Sequence, residues 1–186
     1  MNKKLLILSL LALPLTLFGQ GRVQFANTGT TQITTNSPTG ASGPTTGGNS
    51  YLFGLYIAPV GTVDPTAFTM VGTATNGTVP VNNGRFNGGN PFVIPGNNGE
   101  AIAFQIRAWT FSAGETYELA TDPLAYKGVS AIGQVTPTTG TALVPALFGT
   151  GPGQIGGFSL QPIPEPSTIA LGLLGLGAIA LFRRRK

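Results

Sequence analysis

The chain has neither cysteine nor histidine, and only 9% of its 186 residues are charged. Without cysteine there is no disulfide, no thiolate nucleophile and no sulfur ligand, so burial and hydrogen bonds alone must hold the fold. Without histidine the chain lacks the side chain most often used as general base and metal ligand near neutral pH. Ordinary soluble domains carry about 25% charged residues. Here glycine (28) and proline (15) are abundant instead, with many Thr, Asn and Ser. Such a surface is wetted by hydroxyls and amides more than by charge.

The formal net charge of +4 belongs to the ends. Lys3 and Lys4 stand at the start, and Arg183, Arg184, Arg185 and Lys186 face only Glu165 at the finish. Between them Arg22, Arg85, Arg107 and Lys127 are outnumbered by Asp64, Glu100, Glu115, Glu118 and Asp122. The body thus has no basic patch, and nucleic acid is excluded as a partner on that ground.

Residues 1–21 read as a cleavable signal peptide. Lys3 and Lys4 form a basic opening, Leu5 to Phe18 an apolar run broken by Pro14, and Gly19 and Gly21 offer small residues for cleavage. Leu17-Phe18-Gly19 permits a cut slightly earlier than Gly21. The run is short for a permanent span, the alternative reading. Signal peptidase and the export machinery are the expected partners.

Residues 162–186 form the second terminal segment. The apolar run from Ile169 to Phe182 would make a helix about 21 Å long at 1.5 Å per residue, against a hydrocarbon core of about 30 Å. With Ser167, Thr168 and snorkelling basic stems, 167–182 is expected to be a transmembrane helix. Arg183, Arg184, Arg185 and Lys186 are the stop-transfer cluster that keeps the end inside.

Pro164-Glu165-Pro166, then Ser167-Thr168, a short Gly/Leu/Ala-rich span and an arginine cluster resemble the PEP-CTERM sorting signal. The resemblance implies recognition by exosortase, a membrane-embedded transpeptidase-like enzyme. Pro164, Glu165, Pro166 and Ser167 would be the sorting motif, the helix a transient membrane anchor, and the source a Gram-negative bacterium making exopolysaccharide. An anchor that nothing cuts is the alternative; only the Pro-Glu-Pro triplet argues for processing. The body resembles other PEP-CTERM proteins more loosely, at Gly21 to Asn27, Leu55 to Thr62 and Phe104 to Trp109. That likeness implies a common fold and no known activity.

The body, 22–161, reads as all-β: short apolar runs punctuated by turn residues. Expected strands lie at RVQFAN from Arg22, Tyr51–Ala58, Thr69–Thr75, Arg85–Asn87, Phe92–Ile94, Glu100–Thr110, Gly128–Val135 and Gly156–Leu160. In the clearest, Ile102, Phe104 and Ile106 share one face, and Gln105, Arg107 and Trp109 the other. Four Asn-Gly pairs, at 76–77, 83–84, 87–88 and 98–99, suit tight hairpin turns. Ser112–Ala120 reads as a two-turn helix, and 36–50 as a flexible low-complexity loop that buries nothing. The expected architecture is an antiparallel sandwich of seven to nine strands, with a jelly roll as one form of it.

No catalytic, cofactor or metal site stands out. Glu115 and Glu118 are spaced to share a helix face, as a glycosidase pair would need, but a solvated helix explains them as well. Glu118 and Asp122 lack the loop spacing of a Ca²⁺ site. Trp109 and Tyr117 are the candidate glycan contacts, against the alternative of ordinary packing. The sequon at Asn76-Gly77-Thr78 reads as a surface turn. The expectation is a non-enzymatic, exported surface or extracellular-matrix protein. It would be a membrane-anchored precursor first, cell-surface or extracellular later, and associated with extracellular polysaccharide. A carbohydrate-binding module is the alternative, and a secreted hydrolase the remote third.

Overall fold

The computed structural model describes residues 19–37 and 42–164. The signal peptide through residue 18, part of the 36–50 loop and the helix and basic tail of the last segment lie outside the described residues. The strands, in chain order, are β1 (Arg22–Val23), β2 (Thr34–Thr35), β3 (Gly43–Pro44), β4 (Tyr51–Pro59), β5 (Thr69–Thr75), β6 (Phe92–Val93), β7 (Ile102–Thr110), β8 (Tyr126–Val129), β9 (Gly133–Val135) and β10 (Ser159–Pro162). Eight of them make one sheet, ordered β3-β2-β10-β8-β7-β4-β5, with β9 also on β7; β1 and β6 form a separate ribbon.

The sheet is organised around β4 and β7, which pair antiparallel from Tyr51↔Thr110 to Pro59↔Ile102. Alternate side chains of a strand point to opposite faces, and both faces here are covered. Phe53 and Leu55 of β4 join Ile102, Phe104, Ile106 and Ala108 of β7 in the main core. This core is rich in aromatics: Phe53 stacks on Phe86 at 4.5 Å, and Phe25 and Phe148 meet Phe86 edge-on. Leu52, Tyr56, Ala58, Ala103 and Trp109 project the other way, under residues 111–125 and the turn at Pro65–Ala67. Gly54 is required there: a Cβ at this position would sit 2.7 Å from the Tyr56 ring and 3.2 Å from Trp109.

The structure is all-β, as the sequence predicts, with three differences of arrangement. The layer opposite the large sheet is the β1/β6 ribbon plus isolated bridges, far smaller than a second sandwich sheet. The large sheet is mixed, because β10 lies parallel to β2 and antiparallel to β8. The expected strand Gly128–Val135 is two strands. Ser130 interrupts it by accepting the Ile106 N–H on its own hydroxyl at 2.9 Å.

Three local expectations are corrected. Ser112–Ala120 is no helix: a 3-10 turn at Phe111–Ala113 is followed by turns, with one Ala120 N–H to Thr116 carbonyl bond. The Gly114 carbonyl is taken by the Trp109 indole N–H at 2.8 Å, and a two-turn helix has too little stability of its own to compete. The 36–50 loop is tied down at its far end, since β3 pairs with β2 and Thr45 is 1% exposed. None of the Asn-Gly asparagines has the positive φ of a type I′ turn, though Gly84 and Gly99 do.

Several asparagines are instead buried fasteners. Asn76, 1% exposed, accepts from the Tyr51 N–H and donates to the Gly47 carbonyl, so the sequon is not a surface turn. Asn27 donates to the carbonyls of Thr31 and Gly84 and accepts the Phe86 N–H. Asn27→Ala strands these buried groups, at about 1–3 kcal/mol each where water cannot replace the partner. We expect a loss of about 2–4 kcal/mol, measured as a lowered urea midpoint with unchanged slope.

Candidate functional site

Two places have the ingredients of function: the exit of the C-terminal segment, and a charged cluster on the second face of the sheet. At the exit, β10 lies inside the sheet, between β2 and β8. Leu160 is fully buried in the main core, Gln161 pairs with Lys127, and Pro162 pairs with Tyr126. The Ile163 N–H then donates to the Ala125 carbonyl at 2.9 Å, and its side chain packs with Leu52, Trp109, Ala120 and Ala125. Pro164 is exposed. The fold thus reaches two residues past the expected boundary at 161, and the Pro-Glu-Pro motif follows with no intervening linker. Of the motif, Pro164 is placed at this exit; Glu165, Pro166, Ser167 and the stop-transfer residues Arg183, Arg184, Arg185 and Lys186 lie outside the described residues.

The fold also begins one residue earlier than expected. Gly21 is buried, donates its N–H to the Asn97 carbonyl at 2.7 Å and accepts from the Ile94 N–H at 2.9 Å. A Cβ there would fall 2.1 Å from the Asn97 side chain, so only glycine fits.

On the second face, Arg107 is 7% exposed, and each guanidinium nitrogen has a partner. Nε donates to Gln105 at 3.1 Å, Nη1 to Glu118 at 2.7 Å and Nη2 to the Pro65 carbonyl. The guanidinium lies 4.1 Å over the Tyr56 ring, and the Tyr56 hydroxyl donates to Glu118 at 3.1 Å. Lys127 lies 4.8 Å over Tyr117. A cleft of about 480 Å³ opens beside this cluster, lined by Tyr56, Phe68, Met70, Arg107 and Glu118 among others.

The cluster is wired for packing. Burial would raise the Glu118 carboxyl, but bonds from its own N–H, Tyr56 and Arg107, with the Arg107 charge, hold it below its ordinary 4.5. That is the opposite of what a general acid needs at neutral pH. Glu115, its expected partner, is exposed, and Asp122 accepts the Leu124 N–H. Among the described residues no three acidic groups converge as a metal site would need.

Trp109 is fully buried, its ring nearly perpendicular to that of Tyr117 with the centres 6.3 Å apart, so it offers no ring face to a sugar. The glycan expectation for Trp109 is corrected on that ground: the segment 111–125 folds over it. Tyr117 is half-buried beneath Lys127. Sequence reasoning put Arg107 and Trp109 on one face but missed the pairing with Glu118. Nothing in a spacing of 11 residues signals that Glu118 is carried back over the strand. It missed Ile163 too, whose only signal was an apolar residue between two prolines.

Burial pushes the Tyr56 hydroxyl up from its ordinary 10.0 to about 12, helped by Glu118, and burial also raises Tyr51 and Tyr117. A raised tyrosine contributes stability that is present below pH 10 and lost as pH rises through its folded value. In base titrations followed by circular dichroism, stability should therefore fall between pH 10 and about 12. Tyr56→Phe should flatten that fall, with Tyr51 and Tyr117 supplying the remainder.

No curated protein and no solved structure matches the chain. Residues 162–186 match the PEP-CTERM protein-sorting motif. Together with the Pro-Glu-Pro triplet at the exit of β10, this match makes the chain a PEP-CTERM sorting domain-containing protein.

Proposed function

We propose that the chain is a non-enzymatic surface or extracellular-matrix protein, delivered by a membrane-anchored precursor and released from it by exosortase. The sorting motif itself marks an exported protein handled by exosortase. The observation that carries the fuller reading is the position of the Pro-Glu-Pro triplet: it directly follows Ile163, which is packed against the sheet. A cut at or before Leu160 would pull a buried strand from between two neighbours. A cut beyond Pro164 leaves intact every body contact made among the described residues. Retention of Ile163 and the sorting motif together support processing at Pro164 to Ser167, with Ile163 kept in the released body.

The same reasoning bears on the other cut. Removing Gly21 would orphan the Ile94 N–H and the Asn97 carbonyl. The bonds of Gly21 support a cut before it, after Gly19, in place of the cut after Gly21 that the Gly19/Gly21 pair would otherwise favour. The body's sparse charge and hydroxyl-rich composition support a place among extracellular polysaccharides. The commitment of Arg107 and Glu118 to each other supports a role without catalysis.

Intact-mass spectrometry of the protein from its host tests both cuts. The expected product begins at Gln20 and ends between Pro164 and Ser167, well short of the full 19.0 kDa. Changing Pro164, Glu165 and Pro166 together to alanine should leave a membrane-bound form with an intact tail. A full-length mass in the unaltered host would sink the reading.

A further inference from the structure

Three large exposed apolar side chains adjoin the rim of the body from which the tail leaves. β10 runs in the same direction as β7, since both are antiparallel to β8. Ile163 therefore emerges at the end of the sheet where β7 finishes and β8 begins. Phe111 follows the last residue of β7 and is 58% exposed. Leu124 precedes Ala125, which binds Ile163, and is 85% exposed. Leu119 precedes Ala120, which packs on Ile163, and is 64% exposed. The backbone of Leu119 abuts Gly114, just past the Phe111–Ala113 turn, so Leu119 is carried back to the end of the sheet where Phe111 stands.

Large exposed apolar side chains elsewhere among the described residues are valines, with Ile132 and Leu143 the exceptions. Isolated exposed valines are ordinary on a soluble surface. A phenylalanine and two leucines gathered at one rim are the kind of patch that marks an interaction surface.

The tether says what covers it. From Ile163 to Ile169, where the apolar run begins, the chain spans roughly 22 Å at full extension. A body of this size has a radius of gyration of about 14 Å, hence a diameter of roughly 37 Å. The tether is shorter than the body is wide, so an anchored precursor cannot turn this rim to the side of the body away from the bilayer.

We propose that Phe111, Leu119 and Leu124 form a lipid-docking rim that seats the precursor on the membrane surface until its tail is cut. The proposal rests on the tail being a membrane anchor, as put forward above. Lipid at this rim takes the three side chains out of water, and cutting the tail removes the proximity that holds them there. The body then leaves, because three side chains alone make a weak interfacial anchor.

The absence of cysteine allows a direct test. Full-length precursors carrying Leu124→Cys, Leu119→Cys or Phe111→Cys are labelled with an environment-sensitive fluorophore and reconstituted into phosphatidylcholine vesicles. Glu115 and Asp122 share the segment, so a zwitterionic lipid is the appropriate probe. Val63→Cys, 80% exposed and beyond the opposite end of β4, is the matched control. Flotation with the vesicles reports whether the tail inserts. Doxyl-labelled lipid then reports whether the rim touches the bilayer.

The expected result is flotation of all four, with a blue shift and loss of emission at the three rim positions and neither at Val63. Flotation without selective quenching overturns the docking rim and leaves the anchor standing. Failure to float removes the anchor and the rim with it. Shielding of Leu124 only when exosortase is co-reconstituted makes the rim an enzyme contact and overturns the lipid proposal.

Discussion

The β4/β7 ladder, covered on both faces, is the constraint from which the rest of the structure follows. Nine consecutive pairs bind the two strands, and β7 is buried from Ile102 to Ala108 without interruption and on to Trp109. One face of a strand can be filled by the opposing layer. Covering the second requires a further piece of chain, and here that piece is the irregular segment 111–125. Its course is dictated by what it must cover: the Trp109 ring, the Arg107 guanidinium and the end of β10. Arg107 on that face must be paired, because an unpaired buried charge is far more costly than a buried apolar side chain. Glu118, Gln105, the Pro65 carbonyl and the Tyr56 ring supply the partners.

The same economy of charge explains the asparagines. A chain without disulfides and with few ion pairs still has long irregular connections to fix. Asn27, Asn76 and Asn97 each bond two or three backbone groups of distant or turning segments. An amide both donates and accepts, so one buried side chain can close a loop where an apolar one would leave backbone groups bare. These asparagines do for the loops what a disulfide does in other exported domains.

The junction with the tail follows from the sheet. Because β10 is an interior strand, the sorting motif follows a strand paired on both sides rather than a loose end. In the folded body Ile163 is held by the Ala125 carbonyl and packs in one cluster with Trp109, which sets Pro164 at this rim.

The sequence by itself determined the all-β class, the positions of β4, β5 and β7, their two-faced patterning and the motif at 162–186. These are local properties: strand periodicity, turn residues and a short contiguous signal are written in neighbouring positions. Only the tertiary structure decided the parallel pairing of β10 with β2, the splitting of Gly128–Val135 at Ser130, the coil at 112–120 and the burial of Trp109. It alone brought Glu118 to Arg107 and Ile163 to Ala125. Each of those depends on which distant group competes for a hydrogen bond or a patch of apolar surface, and the partners are far apart along the chain. Two strands of two residues, β2 and β3, are likewise too short to show a period; they exist because the sheet edge beside β10 offers them bonds.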